Sequence, residues 1–151
     1  MDTTLARKHT TRRRAIVEAL AQAMEGINGS PPFRTSVAKV ERRLKFWDEV
    51  DSFPCLHMSA GTETREYFGA GSKWRFLTVT IRVYVNSEDP IQDLEELLED
   101  IETVLDDAGQ FDYSTTTGTQ QVTQVSILSI STDEGALQPL GVGEMIVEIR
   151  Y

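Results

Sequence analysis

The sequence predicts an α+β fold in which a mixed, largely antiparallel β-sheet packs against two main helices. Three observations predict it: strict alternation from Trp74 to Asn86, a capped amphipathic helix opening at Pro90, and a second alternation that ends at Tyr151. A chain of 17.0 kDa can bury roughly 70% of its unfolded surface, enough for one domain with its own core.

Taken in order, residues 1–10 read as a flexible N-terminus, and the first periodic segment is Arg12 to Gly26. At 100° per residue Ile16, Ala19, Leu20, Ala23 and Met24 share one side, with Arg14, Glu18, Gln22 and Glu25 opposite. Thr10 or Thr11 can cap this helix, and the cluster Gly26, Asn28, Gly29, Ser30, Pro31, Pro32 ends it. Phe33 to Arg43 sets Thr35, Val37 and Val40 among basic residues, which predicts a half-exposed edge strand guarded by Lys39, Arg42 and Arg43. Trp47 to Pro54 reads as a loop that tucks an aromatic residue into the domain. A short strand from Cys55 to Ala60, a turn at Gly61, a second short strand through Tyr67 and a hairpin tip at Gly69 and Gly71 follow.

In the long run Leu77, Val79, Ile81, Val83 and Val85 share a core face, while Phe76, Thr78, Thr80, Arg82 and Tyr84 share the other. That second face is amphipathic, so other elements or a neighbouring subunit must cover it. Asp89 then sits at an N-cap position, Pro90 at the first helical position and Gln92 three residues after the cap. In the helix Pro90 to Asp107, Ile91, Leu94, Leu97, Leu98, Ile101, Val104 and Leu105 span an arc of about 140°. Asp93, Glu95, Glu96, Glu99, Asp100, Glu102, Asp106 and Asp107 fill the rest, and eight carboxylates without alternating cations repel one another. Such a face is either solvated or used.

Gly109 to Gln120 is polar and aperiodic and reads as a mobile loop. Val122 to Ile130 has apolar residues on both parities, which calls for a strand with a bulge. Ser131 to Gly143 is a connection, and Met145, Val147, Ile149 and Tyr151 alternate in a closing strand.

Net charge is −9, unevenly spread: residues 1–50 carry +4 and residues 51–151 carry −13. The basic cluster Arg7, Lys8, Arg12, Arg13, Arg14 lacks interleaved aromatics, so it reads as a solvated helix start and not as a nucleic-acid platform. No stretch reaches the roughly 18 apolar residues of a membrane span. Met1 to Arg14 lacks the apolar core of a secretory signal. The single cysteine, Cys55, excludes an internal disulfide and fits assembly in a reducing compartment.

No spacing of His9, His57, Cys55 and carboxylates matches a metal site, so neither metal nor cofactor is expected. Cys55 and His57 share a strand face at i,i+2, but no orienting group or anion hole accompanies them, which favours packing over nucleophilic catalysis. The glycines around Ala70 lack the following helix that a phosphate cradle needs.

The segments RRRAIVEALAQAMEGI, VAKVERR, FPCLHMSAGTETREY, WRFLTVTIRVYV, DPIQDLEELLEDIETVL, VSILSISTDEG and GEMIVEIRY resemble, in their order, the tail terminator proteins of long-tailed (siphovirus- and myovirus-type) bacteriophages. The likeness spans residues 12–151 and includes the proline before the short strand and the acidic turn at Thr132, Asp133 and Glu134. The resemblance implies a structural virion protein without enzymatic activity, made in the host cytoplasm and seated at the head-proximal end of the tail. It implies a hexameric ring of identical subunits that caps the tail tube protein, stops its polymerisation and meets the head-completion or neck protein. DNA would pass through without specific binding, and no membrane is involved.

Within that picture Glu96, Asp100 and Asp107 are expected to line an acidic lumen, and Arg42, Arg43, Trp47, Phe76 and Tyr84 to contact the next subunit. Phe111, Tyr113 and Thr116 are expected to dock on the tube. Another connector or tail-completion protein, a small-molecule-binding regulatory module and a hydrolase built on His57 and Cys55 remain alternatives at this stage.

Overall fold

The computed structural model describes residues 11–107 and 109–151. The flexible segment expected for residues 1–10, with Arg7, Lys8, His9 and the alternative cap Thr10, lies outside the described residues. A five-stranded sheet has the order β1-β2-β3-β7-β6, two helices cover one of its faces, and β4 and β5 form a separate hairpin.

Helix α1 (Arg12–Met24) starts where Thr11 Oγ1 accepts the Arg14 N–H at 3.2 Å. It lies between the sheet and the β4–β5 hairpin, so burial extends to Ala15, Val17 and Ala21, whereas Ala23, expected inside, faces solvent. The strand expected from Phe33 to Arg43 shrinks to β1 (Lys39–Glu41), a parallel edge on β2. Its flanks are diverted from any ladder. The backbone N–H groups of Arg34 and Thr35, with Thr35 Oγ1, donate to the Asp100 carboxylate at 2.6–3.1 Å. At the other flank Arg42 folds back on the Val40 carbonyl. Beside it Glu41 bridges Lys39 at 2.8 Å and Lys45 at 3.1 Å.

Strand β2 (Cys55–Tyr67) runs straight through the turn expected at Gly61, because a bulge between Ala60 and Glu63 absorbs the change of phase. Its hairpin with β3 (Lys73–Asn86) closes at the expected tip, where Gly69, Ala70 and Gly71 all have φ between 51° and 94°. Strand β3 is paired along its length with β2 on one side and β7 on the other. Leu77, Val79, Ile81, Val83 and Val85 form the floor of the core.

Helix α2 (Pro90–Asp107) is capped as expected, Asp89 Oδ1 accepting the Gln92 N–H at 3.2 Å. It lies close on the sheet because Gly143 and Gly141 of β7 (Leu140–Arg150) leave room: a Cβ on either would stand 2.8 Å from a methyl of Val83 or Val85. Two assignments on this helix are reversed. Ile91, expected inside, is exposed beside the Gly135 turn, and Asp100, expected on the charged face, is 2% exposed. The loop at Arg34–Thr35 wraps over the helix there and offers it donors, which offset the cost of burying a carboxylate.

The segment 109–120, expected to be mobile, forms the hairpin of β4 (Asp112–Thr115) and β5 (Gly118–Gln121). Tyr113 anchors it. Its ring stands edge-on to Tyr151, its hydroxyl accepts from Arg12 Nε at 3.0 Å and donates to Gln120 at 2.8 Å. Strand β6 (Gln124–Thr132) carries the anticipated bulge, between Ile127 and Ser129, and pairs with β7. The connection back is shorter than expected, since the Asp133 carboxylate accepts the Leu137 and Val142 N–H groups and lets β7 start at Leu140.

Replacing Asp100 by alanine orphans buried donors and should cost about 3 kcal/mol; the urea midpoint should fall with the slope of the transition unchanged. Glu41 generates a pH dependence. Its hydrogen bonds to Lys39 and Lys45 hold its carboxyl down at about 2, against 4.5 ordinarily. The stabilisation is therefore present above pH 4.5 and fades as pH falls toward 2. Melting temperatures of the protein and of Glu41→Gln should differ most near neutrality and converge in acid.

Candidate functional site

The thiol–imidazole pair is sealed into packing. Cys55 Sγ lies 3.7 Å from His57 Nε2, both side chains are buried, and burial pushes the thiol up to about 12. His57 Nδ1 accepts the Lys45 N–H at 3.2 Å, its ring tilts on Tyr84, and burial lowers its pKa. A thiol that stays protonated is not a nucleophile at neutral pH. The space beside it, lined by Lys39, Glu41, Lys45, Asp51, Cys55 and His57, measures about 10 Å³, room for one water and no substrate. The informative features lie on the exterior.

The three residues expected in the lumen separate. Asp100 is spent inside the subunit and has no surface to offer a channel. Glu96 is half-buried and takes a hydrogen bond from Gln92, and Asp107 is exposed. The exposed acidic row that does share a groove is Glu95, Glu99, Glu102 and Asp106, with Leu98 and Ile130 at its floor.

The residues expected at a subunit contact also divide. Arg42 pairs within its own subunit with Glu18 at 3.0 Å and Glu25 at 2.6 Å, whereas Arg43 is exposed. Tyr84 is buried, its hydroxyl donating to the Lys45 carbonyl, and cannot reach a neighbour. Phe76 is half-buried on the open sheet face. Trp47 is 61% exposed, next to Phe46 at 74%. Both rim an apolar depression of about 390 Å³ that also takes in Leu137 and has the Arg82–Glu144 ion pair, 2.9 Å, in its wall. Of the expected tube-docking residues, Tyr113 belongs to the core, Phe111 packs against it, and Thr116 is exposed at the β4–β5 turn.

Sequence reasoning missed two surfaces. The β2–β3 tip carries exposed Tyr67 and Phe68, with Phe68 against Trp74 and Arg150 stacked 4.4 Å over the Trp74 ring. Its signal was the aromatics flanking the glycine turn, Tyr67, Phe68 and Trp74. The other is β6, where Leu128 and Ile130 stand exposed, and its signal was apolar residues on both parities.

The Trp47 and Trp74 patches lie at opposite ends of β3, about 33 Å apart at the rise of a strand. The tip patch shares its end with the β4–β5 hairpin, because Tyr151 bonds to the Arg75 backbone and packs against Tyr113. No helix of the described residues is long and apolar enough to cross a membrane.

Comparison with known proteins identifies the family. The family described as Bacteriophage Tail Tube Terminator Protein matches residues 7–151. The tail tube terminator protein p142 of Escherichia phage T5 is 34% identical over 148 residues, covering 94% of this chain and 92% of that protein. A chain from the virion of a native gene transfer agent particle shares the fold, with a TM-score of 0.56 at 10% identity over 90% of this chain and 93% of the other. With a family match reaching from residue 7 to the last residue and a relative alike over nearly its whole length, the chain belongs to the tail tube terminators, structural proteins of the bacteriophage tail.

Proposed function

We infer that copies of this chain close into a ring, six-membered as the sequence resemblance implies, on the last ring of the tail tube. The ring ends polymerisation of the tube protein and presents its far side to the head-completion protein at the head-proximal end. Assembly takes place in the host cytoplasm. The observation that carries this reading is the two-ended exterior of a family member: separate exposed aromatic patches at opposite ends of β3. A terminator has two different partners, and exposed aromatic patches are the usual anchors of protein contacts.

The end with Tyr67, Phe68 and the Thr116 turn is assigned to the tube, and the end with Phe46, Trp47 and Leu137 to the head-completion protein. Glu96 and Asp107 are assigned to the channel wall. A negative wall repels phosphate, so DNA slides through without the Lys and Arg contacts that create non-specific affinity. Phe76, on the open sheet face, and exposed Arg43 remain candidates for the contact between subunits.

The two ends separate by phenotype. Tyr67→Ser with Phe68→Ser should give tails of irregular length, while Phe46→Ser with Trp47→Ser should give tails of normal length without heads; electron micrographs with the two outcomes exchanged, or both variants normal, would refute the assignment. Arg43→Glu should weaken the ring several-fold through like-charge contact. Annuli persisting unchanged in negative stain would remove Arg43 from the joint; Arg42→Glu is the poorer probe, because it also breaks the pairs with Glu18 and Glu25 inside the subunit.

A further inference from the structure

We propose that the ring joint is made by the two free edges of the sheet, the β6 edge of one copy receiving the β2 edge of a second copy; this rests on the ring reading above. Among the described residues strand β6 is hydrogen-bonded only to β7, so one side of its backbone is open. Its nine residues, Gln124–Thr132, include no Lys, Arg, Asp, Glu or Pro. Natural edge strands carry such residues or bulges to prevent stray pairing, and β6, guarded only by its bulge at Ile127–Ser129, is a template for another strand.

The opposite edge is open over a similar length. Strand β1 pairs only with Cys55, Leu56 and His57, which leaves the outer side of β2 from Met58 to Tyr67 without a strand partner among the described residues. At the usual rise each open edge is about 30 Å long.

Each edge is flanked by one helix, and the two grooves carry opposite charge. Beside β6, α2 presents Glu95, Glu99, Glu102 and Asp106 over Leu98 and Ile130, in a groove of about 510 Å³. Beside β2, α1 presents Arg13 and Arg14 over Val17 and Ala60, in a groove of about 330 Å³ whose third arginine, Arg42, is already paired with Glu18 and Glu25. Arg13 also caps the edge carbonyl of Gly61. Among the described residues the only ion pair reaching the acidic row is Arg34 with Glu99.

Charge complementarity thus names the occupant. Two β6 edges meeting would set acid against acid, and two β2 edges base against base, so isologous pairing is opposed. Acid groove against basic groove is a heterologous contact, which propagates head to tail and closes when the rotation per subunit allows.

The test is a photo-crosslinking residue, benzoylphenylalanine, at Ile130 in particles assembled with the variant. Crosslinked copies whose joined peptides fall within residues 13–14, 42 or 58–67 of a second copy support the pairing. Crosslinks to β6 of another copy, to a different protein, or none between copies overturn it. A general lysine crosslinker on unmodified particles keeps the two levels apart: copies never joined to one another would sink the ring itself, whereas joined copies without the Ile130 product sink only the edge pairing. Arg14→Glu and Glu102→Lys, both at exposed positions, should each lower incorporation into particles about tenfold while melting normally, and the double exchange should restore it. Single variants incorporated at the normal level would overturn the proposal as well.

Discussion

The pairing of β3 with β2 on one side and β7 on the other is the constraint from which the rest of the subunit follows. A strand paired on both sides has its backbone groups satisfied, so only its two faces remain to be dealt with. Leu77 to Val85 make one face wholly apolar, and both helices are recruited to it. Neither helix can then cover the other face, and each comes to rest beside one sheet edge. The glycines at 141 and 143 set how closely α2 lies, because side chains there would strike Val85 and Val83. One-sided packing therefore leaves, among the described residues, a second sheet face covered only at its Tyr84 end, two free edges and two helices of opposite charge.

That arrangement suits a building block better than a catalyst. The groups that could do chemistry, Cys55 and His57, are consumed by burial and by a backbone donor from Lys45. Exposed apolar area lies instead on Phe46, Trp47, Tyr67, Phe68, Leu128 and Ile130, at the ends and edges of the sheet. Leaving such groups in water carries a cost in free energy and in aggregation risk, which is recovered when a partner covers them. A tail protein that spends its working life assembled fits this distribution.

The candidate surfaces were legible only in part. The charge asymmetry between the two halves of the chain is a sequence property, and it reappears as the Arg13–Arg14 and Glu95–Asp106 grooves. Individual residues were less legible, because a carboxylate on a helix looks the same whether it meets water or a loop. Asp100 and Glu99 are neighbours in sequence, yet only Asp100 finds the Arg34–Thr35 amides over it. Tyr113, expected at a docking surface, is buried for the same reason: Arg12 and Gln120 satisfy its hydroxyl in the core.

Helix α2 with its Asp89 cap, the run of β3, the bulge in β6 and strand β7 were all readable from the residues alone. Each is written in local periodicity and capping, which act within a few residues. Tertiary structure decided that β2 passes through Gly61 unbroken, that β1 is three residues long, that 109–120 is a hairpin, and which side chains face out. Those outcomes depend on partners far along the chain, such as Arg34 with Asp100 across 66 residues and Arg12 with Tyr113 across 101. The pattern around a residue says what it prefers to bury, but burial itself is settled by whichever distant group arrives to satisfy it.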